Sequence, residues 1–244
     1  MEPYRLADRT ISALNRFAMR RFEQARQRLV LAGFDELNVI TTMQAVYAAL
    51  DSDARRRYTA LFLDKYAEVL GALDDPSSGA SRHLPHRGKD QGERGVGDAA
   101  PYRGNPGAED SVDELAEAFI TGLLEEPDAV TRYAWGAEVL RKKDRAAEAV
   151  NAARTRGEKV KELERALRLW SQMAQQYADE VSDGAALAAF RASGVKTVIW
   201  FTQDDPKVCG ECGALDGQKF PIGKIPPKPH WRCRCWLWPV EDET

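Results

Sequence analysis

Four cysteines and one histidine near the end of the chain constrain its fold more than anything else in it. Cys209-x2-Cys212 is followed, after seventeen residues, by His230-x2-Cys233-x-Cys235, and no other cysteine occurs in the 244 residues. Two chelating pairs separated by a loop of this length have the spacing of a zinc ribbon. A Cys-x2-Cys turn puts two thiolates on one side of a tight knuckle, for which Gly210 and Gly213 offer permissive backbone. His230 and Cys233 have the same two-residue gap and can complete a tetrahedral site of three sulfurs and one nitrogen. Cys235 points to the same face of its strand as Cys233 and is an alternative ligand. In a reducing compartment such clustering favours metal over disulfides, and structural zinc is the expected cofactor. One or two disulfides, or free buried thiols, are the competing account.

Four protein ligands would close the coordination sphere, and a closed site holds structure instead of activating water. The chain is therefore expected not to be an enzyme. A zinc deaminase needs a His-x-Glu motif, and none of His83, His86 or His230 is followed by Glu two positions on. A Cys nucleophile served by His230 is conceivable, but paired cysteines at knuckle spacing suit metal better. The net charge of -3 is too small for the whole chain to act as a polyelectrolyte binder, so any nucleic-acid contact must be local. The polar start, Met1 to Thr10, lacks the pattern of a secretory signal, which points to a cytoplasmic origin. The longest uncharged stretch, Asn38 to Leu50, is 13 residues, short of the roughly 20 apolar residues that span a bilayer, so no membrane association is expected.

Residues 1–75 read as an N-terminal helical region. Ile11, Leu14, Ala18, Phe22, Ala25 and Leu29 recur at helical spacing, as do Leu37, Ile40 and Tyr47. Three helices are expected, with a break at Gly33 and Phe34, capping residues for the third at Asp51 to Asp53, and a C-terminal cap at Gly71. Arg5, Arg9, Arg16 and Arg20 form a basic stripe on the first helix, more often a solvated face than a contact surface for DNA or a partner. Residues 76–110 hold seven Gly and four Pro with few sizeable apolar side chains, a linker expected to be mobile unless a partner holds it. His83 and His86 lie inside it, without further ligands nearby to make a metal site.

Residues 111–244 form the third region. Ser111 and Glu114 fit a capping box, and the helix that follows should end before Pro127. A second helical stretch to Val181, interrupted at Gly157, carries Val160, Leu163, Leu167, Trp170, Ala174, Tyr177 and Val181 as a packing seam. A short helix from Ser182 to Gly194 is expected next, then a strand over 195–202, extended segments about the Asp216-Gly217 turn, and a strand over 233–240. The fold class expected is α+β, mainly helical, ending in a small antiparallel sheet with a Cys/His knuckle. Lys196, Lys207, Lys219, Lys224, Lys228, Arg232 and Arg234 outnumber the acids of 195–240 by three, with Trp231, Trp236 and Trp238 interleaved. Such a tail can hold a phosphate backbone, but tryptophans in a small sheet more often fill a core or an interface.

The run from Trp200 to Val240 carries a Trp-bearing extended segment, an Asp before Cys209-x2-Cys212, the Leu215-Asp216-Gly217 turn, and Pro226-Pro227-x-x-His230-x-x-Cys233-Arg234-Cys235, closed by Trp238-Pro239-Val240. In this order these elements resemble the Mu F-like minor head proteins, the head morphogenesis family of tailed bacteriophages. The resemblance is specific over about 45 residues, extends more loosely over the helices from Ser111, and leaves residues 1–110 unmatched. It implies a structural protein of the virion, present in few copies at the capsid interior or portal vertex after assembly in the host cytoplasm. The portal protein would be its partner, with the major capsid protein and the packaged DNA as further contacts. The runner-up is a DNA-binding protein that organises or protects packaged phage DNA through the basic, Trp-bearing tail.

Overall fold

Amphipathic periodicity builds most of the molecule. The computed structural model describes residues 3–74, 111–125, 135–203, 208–230 and 232–240. Five long helices come first, α1 (Arg5–Ala32), α2 (Glu36–Asp74), α3 (Val112–Glu125), α4 (Trp135–Ala152) and α5 (Arg156–Ala192). β1 (Thr197–Phe201), the short helix α6 (Gly210–Leu215), β2 (Lys219–Pro221) and β3 (Trp236–Pro239) follow among the described residues. The protein is thus mainly helical α+β, as expected. His83, His86 and the rest of the expected linker at 76–110 lie outside the described residues, as does Trp231.

The seam residues Leu163, Trp170, Ala174, Tyr177 and Val181 of α5 are buried against α1, α2 and α4. One hydrophobic cluster joins Tyr4 to Phe62 with Ala116 to Ala185, so helices from both ends of the sequence share a core. Trp170, Tyr47, Tyr58 and Phe62 are among the largest side chains buried almost completely in it, each contributing at about 25 cal/mol per Å² of apolar surface removed from water. Gly184 is where α3 meets α5: a Cβ there would lie 2.1 Å from the Phe119 ring, so only glycine allows this approach.

Some expected boundaries are corrected. α1 ends at Gly33, whose φ of +98° favours glycine, but α2 runs unbroken through Asp51 to Asp53. Those acids cap nothing: Asp51 pairs with Arg55, and the buried Asp53 pairs with Arg56 and Arg57, ion pairs within one helix that hold it together. Gly71 likewise sits inside α2. The Ser111–Glu114 capping box forms in both directions. The interruption expected at Gly157 falls slightly earlier, because Thr155 and Glu158 make a second capping box that starts α5. α5 then continues past Ser182 and Asp183 to Ala192, since Ser182 is buried and Asp183 turns to tertiary partners instead of capping.

Gly194, with φ +74°, turns the chain into β1, the centre of an antiparallel sheet in the order β2-β1-β3. Val198 faces Phe220 on one side, and Trp200 and Phe201 face Leu237 and Trp236 on the other. Both tryptophans of β3 serve packing, as expected: Trp236 stacks on Phe201 at 5.5 Å and Trp238 meets Phe190 edge-on at 5.9 Å. A second apolar cluster unites Val69, Phe190, Val198, Trp200 and Phe220 with Cys212, Cys233 and Cys235.

Candidate metal centre

The two halves of the cysteine motif arrive from different kinds of backbone. Cys209 is the N-cap of α6, its sulfur accepting a hydrogen bond from the Cys212 N–H at 3.4 Å. The Cys-x2-Cys knuckle is therefore the first turn of a helix, and the extended segment expected before Asp216 is replaced by α6. Gly210 and Gly213 do not have positive φ, so the glycine freedom assigned to them is not used. Leu215, Asp216 and Gly217 then reverse the chain. Asp216 Oδ1 accepts from the Thr202 N–H and hydroxyl at 2.8 and 3.0 Å, and Gly217, at φ +75°, donates to the Trp200 carbonyl at 2.8 Å. These bonds seat α6 beside the end of β1.

The second half enters on an irregular segment ahead of β3. Arg232, between His230 and Cys233, has φ +63°, an unusual conformation for a residue with a Cβ. Gln176 of α5 accepts its N–H, and Gln175 Oε1 accepts from its guanidinium at 3.1 Å. A turn held in this conformation from outside directs His230 and Cys233 toward α6.

All five expected residues are brought together. Cys209, Cys212 and His230 form one group and Cys212, Cys233 and Cys235 another, with the potential ligand atoms of each group within 4.8 Å of one another. Cys212, common to both, has its Sγ 3.1 Å from His230 Nε2 and 3.6 Å from Cys233 Sγ. All four thiols are free of disulfides. In a tetrahedron with metal–sulfur bonds of ~2.3 Å the ligand atoms stand about 3.8 Å apart, close to the Cys212–Cys233 separation. The two groups share only Cys212, so one ion held by Cys209, Cys212, His230 and Cys233 together would draw the groups toward each other. Thiolate sulfur with imidazole nitrogen is also the donor set that Zn²⁺ favours. The cluster can hold a metal ion.

The electrostatics alternate. The Cys235 thiol and backbone N–H, with Lys228 nearby, hold Cys233 down to about 5, while the Cys212 N–H lowers Cys209. Burial and the neighbouring thiols push Cys212 up to about 12. Cys235 is raised by its hydrogen bond to Cys233 and by burial. Cys233 is thus the sulfur most readily ionised, Cys209 is shifted in the same direction, and the raised Cys212 and Cys235 would surrender protons as a cation entered.

A polar clamp under the site escaped the sequence. Tyr4, buried at the start of α1, places its hydroxyl 2.6 Å from the Cys235 carbonyl oxygen and 2.8 Å from Asp183 Oδ1. Lys228 donates to the Tyr4 hydroxyl at 2.7 Å and the Cys233 carbonyl at 3.0 Å, and pairs with Asp183, so all three ammonium protons have acceptors. Burial opposes the charge on Lys228, but Asp183 outweighs it and raises the lysine above its ordinary value. Arg234 lies over the Tyr4 ring at 4.7 Å and pairs with Asp8 of α1 at 3.1 Å. Tyr4 and Cys235 are 231 positions apart, and no local pattern announces their meeting. The chain matches no family model, no curated protein and no solved structure.

Proposed function

We propose that this chain is a minor capsid, or head morphogenesis, protein of a tailed bacteriophage, similar to the Mu F-like family. It would associate with the portal and inner capsid, and serve head assembly and genome delivery as a structural component. One observation supports the reading most: the motif residues scattered over 200–240 have distinct tasks in one small module. Asp216 and Gly217 seat α6, Trp200, Trp236 and Trp238 pack, and the cysteines and His230 converge. Distinct structural tasks for these motif residues in one fold are more than a compositional coincidence.

Zinc is the proposed ion, with Cys209, Cys212, His230 and Cys233 as ligands and Cys235 the alternative to Cys233. When bound, it would cross-link α6 to the segment before β3, and a closed sphere of four protein ligands suits a structural ion. The alternative of a DNA-organising tail draws less support. Lys228 is engaged by Asp183, Arg234 by Asp8, and Trp236 and Trp238 by aromatic packing. Lys219 and Lys224 remain exposed.

Producing the full chain together with a portal protein, scaffold and major capsid protein from one phage genome that encodes it tests the role. The expected result is a few copies per procapsid, lost when the portal is left out. Procapsids that assemble with the portal yet exclude the chain would end the proposal. Elemental analysis of the purified chain tests the ion separately, with one zinc per chain expected.

A further inference from the structure

α1 is the most one-sidedly charged element described. It carries seven arginines, no lysine and two acids, Asp8 and Glu23, in a chain whose net charge is -3. Its apolar face, Leu14, Ala18, Phe22 and Leu29, is buried in the bundle, which fixes which way the rest must point. Arg5, Arg9, Arg16 and Arg20 are all exposed. At 100° per residue they fall within about 60° of one another around the helix, in a row about 22 Å long. Arg5, Arg9, Ser12 and Arg16 line one shallow concavity with Asp8.

What offsets this charge is sparse. Arg5 shares Glu68 with Lys65, and Glu23 is held by Arg26. Asp8, the acid in the concavity, is taken up by Arg234 through both carboxylate oxygens at 3.1 and 3.2 Å. Among the described residues Arg9 and Arg16 have no acidic partner. We infer that this face of α1 is a docking surface for the phosphate backbone of double-stranded nucleic acid.

Three features favour that occupant. The cations are guanidinium groups, whose planar forks match phosphate oxygens two at a time. A row of this length matches a polymer better than a small anion, since a duplex presents one charge per ~1.7 Å of axis. A membrane surface fits less well, because an interfacial helix must offer its apolar face to lipid and here that face is in the core. The inference stands independently of the head-protein reading: a chain that binds duplex through α1 need not enter a procapsid, and the reverse.

The test is fluorescence anisotropy of a labelled duplex of arbitrary sequence with the full chain, across a salt series. Arg9→Ala/Arg16→Ala should weaken binding and reduce the slope of log K against log salt by about 2. Between 50 and 200 mM salt the ratio of wild-type to variant affinity then changes roughly tenfold. Arg→Ala on an exposed helix face keeps helix propensity, and a circular dichroism melt verifies the fold. Charge reversal, Arg9→Glu/Arg16→Glu, should abolish binding, while Lys219→Ala/Lys224→Ala should leave the slope as it was. The inference is overturned if duplex fails to bind at 50 mM salt, or if the arginine variants bind like wild type. It is equally overturned if phosphatidylserine vesicles bind in an arginine-dependent way and duplex does not, or if the Lys219/Lys224 pair carries the slope instead.

Discussion

The helical core and the C-terminal module are stabilised by different physics. In the core, buried side chains from α1 to α5 interlock, and what holds them is apolar area spread over dozens of residues. In the module, three strands of at most five residues form a sheet at the lower limit of what is stable by itself, and its apolar face packs on Val69 and Phe190. Three of its buried cluster members are cysteines, and a handful of polar contacts clamp it to α1 and α5. A large apolar core loses a fraction of its stability with any one residue, whereas a small cross-linked module depends on its few links. The comparison can be broken or sharpened by substituting one link at a time.

The largest effect should come from the metal ligands. Structural zinc in small modules is worth about 10–16 kcal/mol of apparent binding energy. Cys212→Ser, which removes the sulfur common to both groups, is expected to lose the ion and disorder the module. Near-ultraviolet dichroism from its tryptophans should collapse while the far-ultraviolet helical signal changes little. A zinc-loaded variant with wild-type near-ultraviolet bands would show that the link is not where the stability resides.

Trp170→Ala makes the opposite demand. Trp170 is fully buried in the core, and deleting such a side chain costs about 3–5 kcal/mol. Thermal unfolding should shift as one cooperative transition, with zinc content of the folded fraction unchanged. Selective loss of the metal site instead would contradict the division.

Between the two regions lies Asp179, 1% exposed, with no hydrogen-bond partner for either carboxylate oxygen among the described residues. Burial pushes it up to about 7, against the opposing pull of Arg234 and Lys228. An acid raised on folding binds protons more tightly in the folded chain. Its contribution is therefore complete below the unfolded value near 4 and is lost as pH rises through about 7. The metal-free protein should lose stability over that window, by a few kcal/mol at most. Asp179→Asn should flatten the dependence and stabilise the protein at neutral pH, as urea titrations at pH 4.5 and 7.5 would measure. An unchanged slope would assign the dependence to other groups, with Glu180, pushed up to about 8 by burial, the next to substitute.

The smallest expected change is at the clamp. Tyr4→Phe removes the one phenolic proton for which the Cys235 carbonyl and Asp183 compete, and an acceptor of Lys228, for a loss of about 1–3 kcal/mol. Hydrogen exchange should quicken at the start of α1 and in residues 232–240 together. Exchange that quickens at one end alone would mean that the two are not coupled through this hydroxyl.

Short-range chemistry was written plainly along the chain. The periodicity of α1, the turn at Gly33, the Ser111–Glu114 capping box, the seam of α5, the strand at β1 and the metal-binding spacing of the cysteines all depend on residues a few positions apart. The errors arose where a residue type has two local uses. Asp51, Asp53 and Asp183 cap helices or form ion pairs with equal ease, and their partners decided the matter, Arg55, Arg56 and Arg57 in α2 and Lys228 across the fold. Glycines at 210 and 213 suggested a knuckle that needs permissive backbone, where Cys209 in fact caps a helix.

From sequence alone, then, come the mainly helical class, the terminal sheet and the identity of the five ligand candidates, because spacing and periodicity are properties of the covalent chain. Tertiary structure alone decided that Cys212 is shared by both ligand groups, that Tyr4 and Lys228 brace the cysteine backbone, and that Gly184 admits the Phe119 ring. Each of these depends on atoms brought together across long stretches of chain, and contact between distant residues is set by how helices and strands pack, not by any pattern they carry individually.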